Sequence, residues 1–459
     1  MMNDMPFSII QKSRLEGESR LDADYYQPEY LDLNKKLQAL KTKTIEDISE
    51  SVVSFGAYSL TSYIEWQNSG VPYINVGDVH EGFVDLSSVK YISEKADEIL
   101  KKSRVSEGQV LLTMAGTIGN AAVAHKFPKK VNANQAIAKI TPSSSISPYF
   151  LVAFLNSKYG RLQTQREIVS SVQANIFLGT IKKFRVPIFD EKVTKNVENT
   201  YKDFLNTLHS AELSYTQAEQ LFLNELGIDN LQTEIEDKFF TAVINLSEVQ
   251  EANRLDAEYF NSPCNKMLLK IGKKQTAGLS ELAEMTKGVE PGAEAYQDVG
   301  KLFIRVSSIS KDGLIDKTQK YISEELYDEF KNDYQPQVGE ILLTKDASPG
   351  MACIIREPVE GIISSGVMRL KLKDKINPEY LTLVLNSMVG RLQAERDAGG
   401  SIIAHWKPEQ IKNLIVPILP VSTQNKIADL LLQSYHARKK AAELLEEAKL
   451  KVEEMIENK

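Results

Sequence analysis

In this chain of 459 residues, the side chains best suited to chemistry sit in polar clusters beside glycine-rich turns. In the first half these are Asn75, Asp78 and His80 after an apolar stretch, Thr117 and Asn120 in a turn flanked by glycines, Asn132, Asn134 and Gln135, and then Ser170, Ser171 and Gln173. The second half offers Arg305, Ser307 and Ser308, then Lys345, Asp346 and Ser348, then Ser364 and Ser365, and finally Gly400, Ser401 and His405. Side-chain amides present a donor and an acceptor together, guanidinium and ammonium groups donate, and hydroxyls and open backbone N–H groups suit anionic oxygens. The same residue types also make turns and helix caps. Taken singly, each is first a turn residue; grouped, they form hydrogen-bonding surfaces.

Catalytic patterns are missing. His80, His125, His209, His405 and His436 are scattered, and Cys264 and Cys353 have no metal-type spacing, which leaves two reduced, buried thiols as the expectation. There is no phosphate-cradling Gly-x-x-x-x-Gly-Lys-Ser/Thr loop, no Gly-rich cofactor loop after a strand, and no Asn/Asp-Pro-Pro-aromatic tetrapeptide. No metal and no cofactor is expected on this chain, which is read as non-catalytic by itself.

The elements that must position these clusters come from a duplication. Arg20-Leu21-Asp22-Ala23-Asp24-Tyr25-Tyr26 returns as Arg254-Leu255-Asp256-Ala257-Glu258-Tyr259-Phe260, and Tyr91-Ile92-Ser93-Glu94 returns as Tyr321-Ile322-Ser323-Glu324. Gly108 to Thr113 returns as Gly339 to Thr344. Leu155-Asn156-Ser157 with Gly160-Arg161-Leu162-Gln163 returns as Leu385-Asn386-Ser387 with Gly390-Arg391-Leu392-Gln393, and Val186-Pro187-Ile188 as Val416-Pro417-Ile418. Five matches in one order at a near-constant shift mark a tandem duplication of whole domains, because the period far exceeds that of solenoid repeats.

Within each copy, β-branched stretches such as Val71 to Val76 and Val110 to Met114 predict strands. Ser147 and Pro148 with Gly160, and Asn377 and Pro378 with Gly390, are expected to bracket a helix. After each copy the pattern changes to a 4–3 rhythm. Val197, Tyr201, Phe204, Leu208, Ala211, Tyr215, Ala218 and Phe222 form one seam, and Leu431, Ser434, Arg438, Ala441, Leu445, Ala448, Val452 and Met455 form the other. Small Ala441 and Ala448 are expected to face Tyr215 and Phe222, over a span of about 40 Å at the α-helical rise. Two amphipathic helices packed on their own heads are the alternative.

The expected fold is therefore α/β (α+β): two tandem mixed α/β domains with a pseudo-two-fold internal repeat, separated by two long antiparallel coiled-coil helices. The boundaries are 1–188, 189–235, 236–418 and 419–459. The 42% hydrophobic and 25% charged composition is that of an ordinary soluble protein. The absence of an apolar run of roughly 20 residues argues against a membrane span, and the opening residues lack a secretory pattern, so a cytoplasmic location is expected. The net charge of −7 equals the deficit of residues 190–240 alone, which hold 11 acidic and 4 basic residues. The rest is near neutral, and phosphate contacts are not excluded.

The doubled order of Arg20 to Tyr26, Gly108 to Thr113 running into Gly116-Thr117-Ile118-Gly119, Leu155-Asn156-Ser157 and Val186-Pro187-Ile188 resembles the specificity subunit of type I restriction–modification systems, over nearly the whole chain. The resemblance implies two target recognition domains, each reading one half of a bipartite, asymmetric sequence in double-stranded DNA. It also implies spacer helices that set the gap and dock two modification subunits, which carry S-adenosylmethionine and methylate adenine. Restriction subunits, with ATP and Mg, can join. On this reading the polar clusters are the DNA-contacting candidates, since Asn and Gln pair with adenine, Arg and Lys with guanine, and hydroxyls with phosphate. Because Gly116-Thr117-Ile118-Gly119 becomes Ala347-Ser348-Pro349-Gly350, that loop is expected to differ in shape between copies. Arg161 and Arg391 are either phosphate clamps or ligands of helix-end carbonyls. The architecture alone also fits a scaffold protein that binds no nucleic acid, or the specificity subunit of another DNA-modification or phage-defence system.

Overall fold

The computed structural model describes residues 8–10, 22–55, 64–168, 174–229, 231, 243–252, 254–260, 263–315, 319–373, 375–398 and 404–458. The chain divides into two units, Met1–His209 with Arg438–Lys459, and Ser210–Ala437.

In the first unit the strands Ser49–Val53, Ile137–Pro142, Val110–Thr113 and Ala121–Val123 lie in that order in an antiparallel sheet. A second, mixed sheet has the order Trp66–Gln67, Lys90–Ile92, Val71–Ile74, Asn132–Ala133, its last pair parallel with Tyr73 opposite Asn132. The second unit repeats the plan. Its first sheet is Ala283–Lys287, Val367–Leu372, Ile341–Thr344, Ala352–Ile354, and its second is Lys320–Ile322, Lys301–Ile304, Gly361–Ile363, again ending in a parallel pair.

Val110–Thr113 and Ile341–Thr344 are buried at every position, which explains why these strands show apolar runs instead of alternation. Val110 and Leu112 pack with the helix residues Phe150 to Leu155, while Leu111 packs with Ile74 and Ala133 of the other sheet. Each unit is thus layered helix, sheet, sheet.

The helix after each sheet differs from the sequence expectation. Pro148–Asn156 stops at Ser157, and a second helix, Lys158–Glu167, begins there, with Gly160 inside it; the other copy has Pro378–Asn386 followed by Met388–Asp397. A Cβ on Gly160 would lie 2.3 Å from the carbonyl oxygen of Phe154, and one on Gly390 2.1 Å from that of Leu385. These glycines permit a close helix–helix corner and do not end a helix. Asn377 caps its helix by accepting from Glu379 N and Tyr380 N, whereas Ser147 makes no side-chain cap bond.

The repeated polar motifs clamp backbone. Asn156 Oδ1 accepts from Ala121 N (3.1 Å) while its Nδ2 donates to Ala121 O (2.8 Å), so this side chain joins Gly82, whose N–H also donates to Ala121 O (2.9 Å), at the edge of the sheet. Asn386 makes the same two side-chain bonds to Ala352 at 2.9 and 2.8 Å. Gln163 grips both polar groups of Arg185, and Gln393 those of Ile415. The gripped strands, Arg185–Pro187 and Ile415–Pro417, pair with Thr42–Thr44 and Thr276–Gly278.

The long helices are Glu191–Leu226 and Val421–Glu457. At about 1.5 Å per residue each exceeds the expected 40 Å by more than two turns, because both start ahead of their seams. Each contributes to both units. In the first, Lys451 Nζ donates to Asn196 and Thr200, and Leu445 and Phe204 both border Gly82, so the segments run antiparallel. In the second, Ser434 Oγ donates to Ala211 O at 2.8 Å. Val197, Tyr201, Phe204, Leu208, Phe222, Leu431, Leu445 and Val452 are buried, while Met455 yields the last seam position to Ile456. The two alternatives for these helices merge, since the seam also packs on the heads: Tyr201 donates to Gly82 O and its ring lies 5.9 Å from Tyr149. The expected facing pairs are corrected. Ala441 and Ala448 share a core with Val197, Tyr201, Phe204 and Leu208, whereas Phe222 meets Tyr380 at 5.8 Å and Tyr215 lies under Lys311.

Cys264 and Cys353 are buried, and burial pushes both thiols up to about 12. Among the described residues no helix is long and apolar enough to cross a membrane.

Replacing Asn386 with Ala removes two hydrogen bonds and leaves both polar groups of Ala352 without that partner. It is expected to destabilise the second unit by about 2 to 5 kcal/mol, read as a lower urea midpoint with an unchanged slope.

Candidate nucleic-acid interface

Each central strand ends in Thr113 or Thr344 and turns sharply. In both copies the threonine hydroxyl donates to the carbonyl four residues on, Thr117 O and Ser348 O, and accepts from the backbone N–H seven residues on, Asn120 N and Met351 N at 2.9 Å. Gly116 and Ala347 take left-handed φ values of 68° and 59°, and Gly119 and Gly350 take 85° and 96°. The two loops therefore share one conformation, which overturns the expected difference in shape. Ala347 bears a cost of about 1–2 kcal/mol for this backbone, offset by its bond to Ala404 O (2.9 Å) and by the bridge between Asp346 and His405.

Other positions correspond as closely. Asn134 N donates to Ile74 O and Ser364 N to Ile304 O, both at 2.8 Å. Ala115 bridges Asn175 as Asp346 bridges His405. The polar clusters of the two halves thus occupy equivalent places, where the ends of the second sheet, the threonine turn and the segment after the helical corner converge.

Several candidates are engaged in bonds within the fold. Asn132 is fully buried and donates to Asp97 (3.1 Å) and Leu100 O (3.2 Å). Asn120 is buried, donating to Val79 O and accepting from Arg161. Arg161 is held by Glu81 at 3.2 Å, and Glu81 also pairs with Lys449 at 2.6 Å, so Arg161 joins side chains and not helix-end carbonyls. Arg391 lies largely exposed beside Glu395. Asp78 and Ser308 cap short turns by accepting from Asn75 N (2.7 Å) and Arg305 N (3.2 Å). Burial raises the Asp78 carboxyl above the usual range despite that bond. Asn134 Oδ1 accepts from Ala136 N at 2.8 Å, shaping its own turn.

Thr117 and Ser307 are exposed, Asn75, His80 and Gln135 half-buried, and His80 stacks on Phe83 with 5.0 Å between ring centroids. In the second unit Arg305, Ser307, Asp346, Ser348, Ser364 and Ser365 line a single pocket. Lys345 is buried beneath it and donates to Asp346 at 2.6 Å, and His405 Nδ1 meets the other Asp346 oxygen at 2.8 Å. Burial opposes the charge on Asp346, but the bonds from Lys345 and His405 outweigh it, holding the carboxyl below its ordinary range. Ser170, Ser171, Gln173, Gly400 and Ser401 lie outside the described residues.

The pocket also includes Glu290 and Tyr296, which the sequence did not single out. The available signal was Gly288: a Cβ there would lie 2.2 Å from Ser364 O, a close backbone approach of the kind that glycine within a strand-like stretch can mark. Among the described residues no cluster of His, Cys, Asp or Glu could hold a metal ion.

The family model for the type I restriction modification DNA specificity domain matches residues 38–198 and 272–448. The chain belongs to this family. The specificity chain is 35% identical over 89 residues to the type I restriction enzyme EcoBI specificity subunit of Escherichia coli, a stretch that spans 19% of each protein. Among solved structures it is similar to the type I restriction–modification S subunit from M. genitalium, at 12% identity and a TM-score of 0.40, covering 91% of this chain and 94% of that one. It is also similar to the HsdS subunit from Thermoanaerobacter tengcongensis, at 13% identity and a TM-score of 0.30, covering 90% and 95%.

Because the folded-state carboxyl of Asp346 titrates below its unfolded value, its contribution is full above the ordinary carboxylate range and is lost as pH falls through that range and below. Stability of the second unit is expected to fall on acidification, and Asp346→Asn should flatten part of that fall. Identical acid profiles for the two proteins, by urea unfolding at stepped pH, would contradict this coupling.

Proposed function

We propose that this specificity chain chooses the DNA site for a type I restriction–modification complex, each unit reading one half of a bipartite, asymmetric target. The observation that carries this reading is the equivalent placement of two polar clusters, on one scaffold plan, with different side chains in each. A shared frame with exchanged loop residues suits two readers of different half-sites. Residues 1–188 and 236–418 serve as the target recognition domains, and the long helices in 189–235 and 419–459 fix the gap between half-sites. The helices also dock two modification subunits, which supply S-adenosylmethionine and the adenine-methylating chemistry, and restriction subunits with ATP and Mg join where present. Phosphate contacts position each head and base contacts specify the sequence.

Methylome mapping of the host tests the reading directly. Deleting the chain is expected to abolish methylation of one bipartite adenine motif; if every motif persists, the chain does not select a methylation site. Gln135→Ala is expected to relax only the first half-site, and an equal loss at both half-sites would place its effect on folding instead. Inserting four residues near Ala211 is expected to lengthen the gap or abolish methylation, and an unchanged spacing would dismiss the helix as the ruler.

A further inference from the structure

The two clusters are equivalent in place but opposite in chemistry. At matched positions the first unit presents Asn75, Asn134 and Asn175, with Gln135 beside Asn134, while the second presents Arg305, Ser364 and His405, with Ser365 beside Ser364. Where the first unit has Ala115, the second has Asp346, whose carboxylate lies 2.8 Å from Nδ1 of the largely exposed His405 ring. Glu290 completes the second pocket and is held in place by Tyr296 OH (3.2 Å) and Ser365 Oγ (3.0 Å). Among the residues that line the pocket, Arg305 is cationic and Glu290 and Asp346 are carboxylates.

That pairing matches one base pair better than the other. In the major groove a G·C pair offers two acceptors on guanine, N7 and O6, and one amino donor on cytosine. Arginine meets guanine with paired donors and a carboxylate accepts from cytosine, whereas side-chain amides, which dominate the first unit, pair with adenine. We propose that the second unit's pocket selects a G·C base pair, Arg305 donating to guanine and Glu290 accepting from cytosine, with His405 held by Asp346 as a further contact at the rim. The inference rests on the half-site reading above and names what one half-site must contain.

The test is methylome mapping with the complete complex carrying Arg305→Gln or His405→Ala. Arg305→Gln is expected to reduce preference for G·C at a single position of the second half-site by about 10- to 100-fold, shifting it toward A·T, with the first half-site unchanged. His405→Ala, which removes a largely exposed ring and its bond to Asp346, is expected to weaken discrimination within the same half-site. It also decides the matter should the arginine variant fail to accumulate. Retention of every base preference in both variants, with or without a uniform drop in methylation, overturns the pocket assignment, and so does a shift confined to the first half-site. Loss of the pocket assignment while a bipartite motif still depends on the chain leaves the half-site reading standing. A wild-type chain on which no motif depends removes that reading itself.

Discussion

An edge strand needs partners for its outward N–H and C=O groups, and here a side chain supplies one for both. Asn156 and Asn386 reach from the helical corner and bond both polar groups of Ala121 and Ala352. This bidentate amide fixes the distance and rotation between helix layer and sheet. Much else then follows by geometry. The corner must be tight, so glycine is needed at 160 and 390. The next helix is set so that Gln163 and Gln393 grip the strand leading into each long helix.

Much of this was legible in sequence, for a physical reason. A bidentate side-chain bond to backbone tolerates no substitute, so both copies keep the same residue, and one of the five motifs that mark the duplication, Leu-Asn-Ser with Gly-Arg-Leu-Gln, holds these clamps. The 4–3 rhythm of the long helices was visible because burial against head and partner helix requires it. The facing of Ala441 was misjudged because the seam is shared: which residues meet depends on the heads that wedge against it, as Gly82 and Tyr149 do at Tyr201.

The candidate site was only half legible. Residue type could not distinguish Asn132, whose amide is spent on Asp97 and Leu100, from Gln135 three positions on. Nor could it show that Ala347 adopts a backbone usually left to glycine, since the restraint comes from Ala404, distant in sequence. The clusters as groups proved sounder than their members, because a converging set of strand ends and turns fixes where polar side chains gather, while burial decides which remain available.

The long helices carry a consequence for how the protein is made. The core around Tyr201 and Phe204 includes Ala441, Leu445, Ala448, Val452 and Ile456, contributed from the far part of the sequence. Domains commonly fold as they leave the ribosome, in order. The unit translated first here cannot close its core until residues 438–456 have emerged, whereas Ser210–Ala437 is contiguous and has all its parts sooner. The part begun first is therefore the part completed last.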